Sequence, residues 1–540
     1  MKSSPATYGR SIATSLLAFA LLAPPLAAQA PARTFDVRAF GATGDGHTID
    51  SDAINRAIDS AAAAGGGTVH FPAGTYASHS VRLRSHVALH LERGATLLAA
   101  DTANGRGFDP AEPGAGNAYQ DFGHSHWHNS LLWGEDVEDV SIVGPGRIDG
   151  AALRRELSRD VPGLANKAIA LKRARNVLLR DLTIYRGGHF GILATGVDNL
   201  TIDDLTIDTN RDGIDVDACR NVRISNTSVN APNDDAIVLK SSYALGAPRA
   251  TEDVAITNSV VSGFDVGSVL DGTYRRTTER APDRDGPTGR IKLGTESNGA
   301  FRNITIANVV FERSRGLALE TVDGATIEDV AITNVTMREV TTAPIFLRIG
   351  ARLRGPAGTQ IGAIRRVTIS NVVASGADPR YASIIAGLPG HPVEDVTLRD
   401  VRLVYRGGLS LEHAAKQPSE LVNTFFRPPD GSGPREPFTV PERAAMYPEP
   451  SMFGVLPAYG FYVRHARGVR LDGVQVSWEQ PDTRPAFVLD DVRGVDLRGV
   501  RARRASGASL LELRGVEDVR VRDSAPLADV TLARVARKSY

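Results

Sequence analysis

Only one cysteine, Cys219, occurs in the 540 residues, so no disulfide can form within the chain. Stability must then come from buried apolar surface, of which a chain this long can supply enough. Cys219 stands in an apolar-periodic stretch, which points to a small buried side chain rather than a catalytic thiol. Aromatics are scarce at 6%, and the aromatic signatures of a propeller blade are missing. No excess of one charge exists either: Lys+Arg and Asp+Glu balance at 62 each. Such neutrality speaks against a general nucleic-acid binder and against strong steering of a polyanion, while leaving room for a local basic subsite. After the first thirty residues no apolar run is long enough to cross a bilayer.

Those first thirty residues stand apart. Lys2 and Arg10 precede SIATSLLAFALLAPPLAA, which leads into Ala28-Gln29-Ala30. A charged start, a short apolar middle and a small-x-small end read as a signal peptide over residues 1–30, with a membrane anchor as the alternative. A periplasmic or secreted protein with one domain over 31–540 is expected.

What the chain has in plenty is one recurring phrase. RNVLLRDLTI begins at 175, DNLTIDDLTI at 198, RNVRISNTSV at 220, EDVAITNSVV at 252, RNITIANVVF at 302 and EDVAITNVTM at 328. Alternating Val, Ile and Leu mark strands with one buried face. Repetition at about 20–30 residues marks a solenoid. No helical pattern separates the units, so the expected fold is all-β: a right-handed parallel β-helix. Asn at the repeated turns can pair with its counterparts above and below as a ladder. One helix is expected, from about Asp52 to Ala64, capped by Ser51 or Asp52 and stopped by Gly65-Gly66-Gly67. It would cover the open end of the solenoid. Two long insertions break the rhythm, at about 263–289 and 405–463. The second carries Phe425, Phe426 and Tyr447 and is either a lid over a cleft or a layer on the solenoid wall.

Chemistry concentrates at IDTNRDGIDVDACRNVRISNTSVNAPNDDAIVLK, residues 207–240. Asp212 and Asp234 are 22 residues apart, about one coil, and Asp235 follows directly. Carboxylates crowded on neighbouring coils cannot all ionise cheaply, so one should keep its proton. A protonated carboxyl beside ionised ones is the equipment for breaking a glycosidic bond.

These segments resemble a known family. FDVRAFGATGDG, DSDAINRAID, GGGTVHFPAGTY, GPGRIDG at 144–150 and the Asn210-x-Asp212 and Asp234-Asp235 frame are similar to the polygalacturonase-like glycoside hydrolases of family 28, from about residue 35 to 375. The resemblance implies an inverting mechanism in which Asp234 protonates the leaving oxygen while Asp212 and Asp235 activate water. It implies a poly- or oligosaccharide partner and no metal or organic cofactor.

Two of the family's motifs are displaced. Gly-His-Gly, expected one coil after the paired aspartates, has no counterpart. Arg290-Ile291-Lys292 copies the family's carboxylate clamp, Arg-Ile-Lys, but by repeat register the clamp's coil is Gly316–Thr321. On that register Ala318 and Glu320 replace the clamp residues, and Glu320 is expected to repel a uronate. The competing reading keeps Arg290 and Lys292 as the clamp. His189 can line the same cleft and hydrogen-bond sugar hydroxyls, whereas His124, His126 and His128 mimic metal spacing without a supporting carboxylate. Aromatics of the second insertion closing the cleft would favour action from chain ends. A β-helix lyase or uronate epimerase, and a non-catalytic carbohydrate-binding solenoid, remain the alternatives.

Overall fold

The computed structural model describes residues 33–102, 107–113, 116–426 and 433–540, with residues 1, 2 and 4; the rest of the predicted signal peptide lies outside the described residues. Parallel strands stack coil upon coil. Val177 registers with Leu200, Leu200 with Val222, Val222 with Val254, Val254 with Ile304, Ile304 with Val330 and Val330 with Val367. Each is buried, and together with the neighbouring aliphatic columns they form one continuous apolar core down the solenoid. Period-two alternation is what sends these residues inward and their neighbours out.

The repeated Asn supplies the turn. Asn199, Asn221, Asn258, Asn308 and Asn334 all have φ between 52° and 58°. Asn enters this left-handed region more readily than most side-chain-bearing residues. The expected ladder is present: Asn221 donates to Asn199 (2.7 Å), Asn308 to Asn258 (3.1 Å), Asn334 to Asn308 (3.0 Å) and Asn371 to Asn334 (3.2 Å).

Both ends are covered. Helix α1, Ser51–Ala63, lays Ala53, Ile54, Ala57, Ile58 and Ala61 over the first coils. Its cap is Asp50, one residue before the expected start. The Asp50 carboxylate turns back to accept from the Thr43 and Gly44 amides (2.8 and 3.0 Å), tying the preceding loop instead of the helix. At the far end Val530–Ser539 pairs antiparallel with Leu511–Arg522. None of the helices among the described residues is long and apolar enough to cross a membrane.

Five strands of one wall carry the chemistry: β1 (Phe190–Thr195), β2 (Asp212–Asp217), β3 (Ile237–Ser241), β4 (Ile291–Ser297) and β5 (Leu317–Thr321). They pair in that order, Ile192 with Ile214, Ile214 with Ile237, Ile237 with Ile291 and Ile291 with Leu317. Every residue of these five strands is buried. Their outer face, which carries Asp215, Lys240, Lys292 and Glu320 beside Leu193, Val238 and Ala318, is therefore covered by protein, as parallel sheets usually are. The first insertion runs between Ser262 and β4, the second between Gly407 and Phe461. The second contains a short helix, Leu411–Lys416, and seats Phe438, Met452, Phe453 and Leu456 against Phe346, Ile384 and Tyr462 of the wall.

Candidate active site

Strand register brings the three aspartates together. Gly213 donates its amide to the Asp235 carbonyl (3.0 Å) and Ile214 to that of Ala236 (2.9 Å), so Asp212 and Asp235 lie on adjacent coils at one level. A Cβ on Gly213 would sit 2.3 Å from Val229 and 2.5 Å from the Ala236 carbonyl oxygen. Only glycine permits the coils to approach this closely beside Asp212. Carboxylate oxygens of Asp212, Asp234 and Asp235 all lie within 4.8 Å of one another.

Each carboxylate has a different electrostatic setting. Asp212 is 3% exposed. Burial pushes its proton affinity well up, and the neighbouring Asp234 and Asp215 carboxylates push it further. Its Oδ1 accepts the Asp235 amide at 3.2 Å. Burial would raise Asp235 as well, but Arg290 Nε (2.6 Å) and Lys292 Nζ (2.7 Å) hold it below the usual carboxylate range. Asp234, with 23% of its side chain exposed, accepts two hydrogen bonds from Arg211, and this guanidinium with Lys292 outweighs burial and keeps it ionised. The three settings thus differ in sign: Asp212 is pushed toward its neutral form, and Asp234 and Asp235 toward the anion. Of the three, Asp212 has the setting that most favours a proton, while Asp234, which the resemblance casts as the acid, has the one that most favours the anion.

The other expected residues take varied places. Asn210 is half-buried, its carbonyl accepting the Asn233 amide (3.1 Å). His189 stacks on Phe190 (4.3 Å between ring centres) with a ring nitrogen within 4.8 Å of an Asp212 oxygen, and neither ring nitrogen has a hydrogen-bond partner. Burial and the Arg211 charge keep it neutral. Arg290 and Lys292 lie on the coil directly after Asp235 and face it, buried rather than on a solvated surface. Lys292 registers with Ala318, as the repeat register requires.

Glu320 differs from expectation. It is fully buried, and burial pushes its proton affinity up to about 8 despite Lys292 and Arg290. A neutral carboxyl with no exposed atom does not repel a uronate at neutral pH. Cys219, buried and pushed up to about 12 by burial, is an inert thiol. The three spaced histidines diverge: His126 stacks on Phe122, His128 bonds Glu135 (2.7 Å), and His124 meets Lys240. A different set, His124, His189 and Asp212, is close enough to share a cation, but the Lys240 ammonium already bonds His124 Nε2.

Several site residues escaped the sequence reading. Arg211 is the unremarked middle residue of Asn-x-Asp. Asp215 pairs with Lys240 at 3.0 Å and is pushed up to about 7 by burial against that ammonium. The alternation IDVD marks Asp215 as an outward position, and a polar residue there on a covered face was the available signal. Glu449, from the second insertion, grips Arg290 through both Nη atoms (2.5 and 3.1 Å). No local pattern announces it.

Beside Asp234 lies a pocket of about 260 Å³, room for about one sugar ring, walled by Arg211, Asp234 and Arg290 from the solenoid and by Pro282 and Asp283 from the first insertion. Phe425, Phe426 and Tyr447 of the second insertion close its far side, with Phe426 and Tyr447 stacked at 4.8 Å. The second insertion therefore does both things the sequence left open: its body packs on the wall and its edge reaches the site.

Such a solenoid, with a carboxylate cluster on one wall, is a parallel β-helix. The family model described as "Rhamnogalacturonase A/epimerase, pectate lyase-like" matches residues 34–92, and "Right handed beta helix region" matches 160–278. More particularly, the chain is similar to polygalacturonases. It is 26% identical over 328 residues to a probable polygalacturonase of Vitis vinifera, covering 55% of this chain and 60% of that one. A family 28 exopolygalacturonase of Yersinia enterocolitica shares the fold, with a TM-score of 0.58 at 18% identity over 87% of this chain and 78% of that one. A plasmin and fibronectin-binding protein of Streptococcus pneumoniae is 34% identical over 176 residues, 31% of this chain and 23% of that one.

Proposed function

We propose that the protein is an exported glycoside hydrolase that cleaves pectic or related plant polysaccharide from chain ends. The observation that carries the reading is the clustering of three carboxylates, Asp212, Asp234 and Asp235, within 4.8 Å of one another, with Asp234 lining a pocket. The polygalacturonases among its relatives support the substrate class. Closure of the pocket by Phe425, Phe426 and Tyr447 supports the exo mode, and the signal-like residues 1–30 support export.

In this mechanism the cluster holds one proton. It passes from Asp212 to Asp234, the only one of the three with appreciable exposure toward the pocket. Asp234 delivers it to the glycosidic oxygen as the bond to the anomeric carbon breaks. Water attacks that carbon and yields its proton to Asp212, which has the greatest proton affinity of the three and so is the better base. Asp235, held by two cations, stays an anion that steadies developing positive charge. Displacement by water inverts the anomeric centre. The carboxylate spacing is tighter than the ~6.5–9.5 Å usual for an inverting pair, so the water belongs against Asp212 and Asp235 rather than in a gap between acid and base.

The lyase reading requires a basic residue able to lose its proton. Burial alone would favour that loss from Lys292, but Asp235 holds its proton affinity well above the usual value. The hydrolase reading is tested on pectic and neutral oligosaccharides with the mature protein and Asp234→Asn. New reducing ends lost in the variant, without unsaturated-uronate absorbance, are expected; absorbance that the variant retains would sink the proposal.

A further inference from the structure

The pocket beside Asp234 is bordered by three guanidiniums, which at first sight suit a uronate carboxylate. Their charges are already paired. Arg290 spends Nε on Asp235 (2.6 Å) and both Nη atoms on Glu449 (2.5 and 3.1 Å). Arg315 grips Asp283 through Nη1 and Nη2 (2.6 Å each) and gives Nε to the Gly286 carbonyl (3.0 Å). Arg211 holds Asp234 and reaches Glu156 at 3.4 Å. Lys292, behind them, is bound to Asp235 at 2.7 Å. Four carboxylates, Glu156, Asp234, Asp283 and Glu449, thus line the pocket against three guanidiniums. Glu449 and Arg290 are each 3% exposed in their side chains and Arg315 1%, so water screens these pairs little.

We infer that the sugar seated in this pocket is uncharged, and that Glu449 excludes a uronate by occupying the place its carboxylate would take between Arg290 and Arg315. This rests on the hydrolase reading above. A uronate entering here would bring one more negative charge into a pocket lined by four carboxylates and three guanidiniums, each guanidinium already paired with a carboxylate. Burying such an unpaired carboxylate is strongly unfavourable. A neutral sugar meets no such penalty: its apolar face can lie against the Phe426–Tyr447 stack and its hydroxyls can hydrogen-bond the paired charges at the rim. Electrostatic selection would thus be made by the second insertion and not by the catalytic coils.

The test compares 4-nitrophenyl α-D-galactopyranoside, α-L-rhamnopyranoside and α-D-galacturonide as substrates of the full mature chain, and the corresponding free sugars as ligands by saturation-transfer NMR. Wild type is expected to favour a neutral glycoside over the uronide by about tenfold or more in kcat/KM. Glu449→Gln, which frees the Arg290 fork, should move that ratio toward the uronide by about tenfold. Asp283→Asn frees Arg315 and should move it the same way, which covers the case in which the first variant does not fold. A wild type that prefers the uronide, or two folded variants that leave the ratio unchanged, would overturn the inference while leaving the hydrolase intact. If no glycoside is cleaved, the hydrolase reading fails, and the NMR competition still decides charge selection: galacturonate binding more tightly than galactose and rhamnose overturns it.

Discussion

Arg211 and Asp234 are joined by two hydrogen bonds to one carboxylate oxygen, from Nε at 2.9 Å and Nη2 at 2.5 Å. The residue that separates Asn210 from Asp212 thereby sets the charge of the carboxylate one coil away. Removing the guanidinium raises the proton affinity of Asp234 and of the whole cluster. Arg211→Gln should shift the alkaline limb of the kcat profile to higher pH by about 1–3 units, the range by which an adjacent arginine lowers an aspartate. An unmoved limb would mean that Arg211 does not govern the catalytic proton.

Asp212→Asn removes the proton store while keeping the shape of a protonated carboxyl. Activity should fall by about 10²–10⁴-fold. Stability should change in the opposite direction. The folded chain keeps a proton on Asp212 that the unfolded chain loses near pH ~3.9, so this group costs the wild type stability as pH rises past that point. Thermal melts of the variant and wild type should coincide at about pH 3.5 and separate in favour of the variant toward neutrality.

Glu320 gives a bounded pH window. Its folded affinity is near 8 through burial, against about 4.3 unfolded. Between those values the folded state holds a proton that the unfolded state has released, so wild-type stability declines as pH rises. Glu320→Gln has no such proton. Its melting temperature should gain on the wild type from about pH 4.3 upward, with the gap levelling off near pH 8.

Gly213→Ala tests the coil spacing under the site. The added methyl meets Val229 and the Ala236 carbonyl oxygen at 2.3 and 2.5 Å, and a loss of about 1–3 kcal/mol or more is expected. Because Asp212 is the preceding residue, activity should drop in protein that remains folded. Denaturant unfolding and kcat measured on the same samples separate the two effects.

Asn308→Ala should cost about 1–2 kcal/mol, from an alanine held at positive φ and two lost ladder bonds. Asn308→Gly loses the bonds without the strain and should cost less. Equal losses would mean that the ladder, not the backbone conformation, is what the asparagine contributes.

Much of this was legible because it is periodic. Alternating aliphatics and the Asn turns announce the coils, and a 22-residue step brings Asp212 and Asp234-Asp235 together. The charge setting of Asp234 was not legible: it depends on Arg211, whose effect appears only when the next coil is laid against it. Glu320 misled because its sign was read without its burial. Glu449 lies 159 residues from Arg290, and nothing in a repeat pattern foretells which insertion residue will reach the wall. IDVD carried information that was passed over, since outward positions on a covered face must pair, as Asp215 does with Lys240.

The asparagine column has a consequence for how this architecture can change. From Asn226 to Asn371 successive rungs are separated by 32, 50, 26 and 37 residues, yet the side chains meet at every step. Coil alignment is therefore indifferent to how much chain is looped out between rungs. An excursion can be lengthened, shortened or exchanged without displacing the carboxylates beneath it. Cleavage chemistry and sugar preference can then diverge independently, with grafted loops retargeting an unchanged catalytic wall.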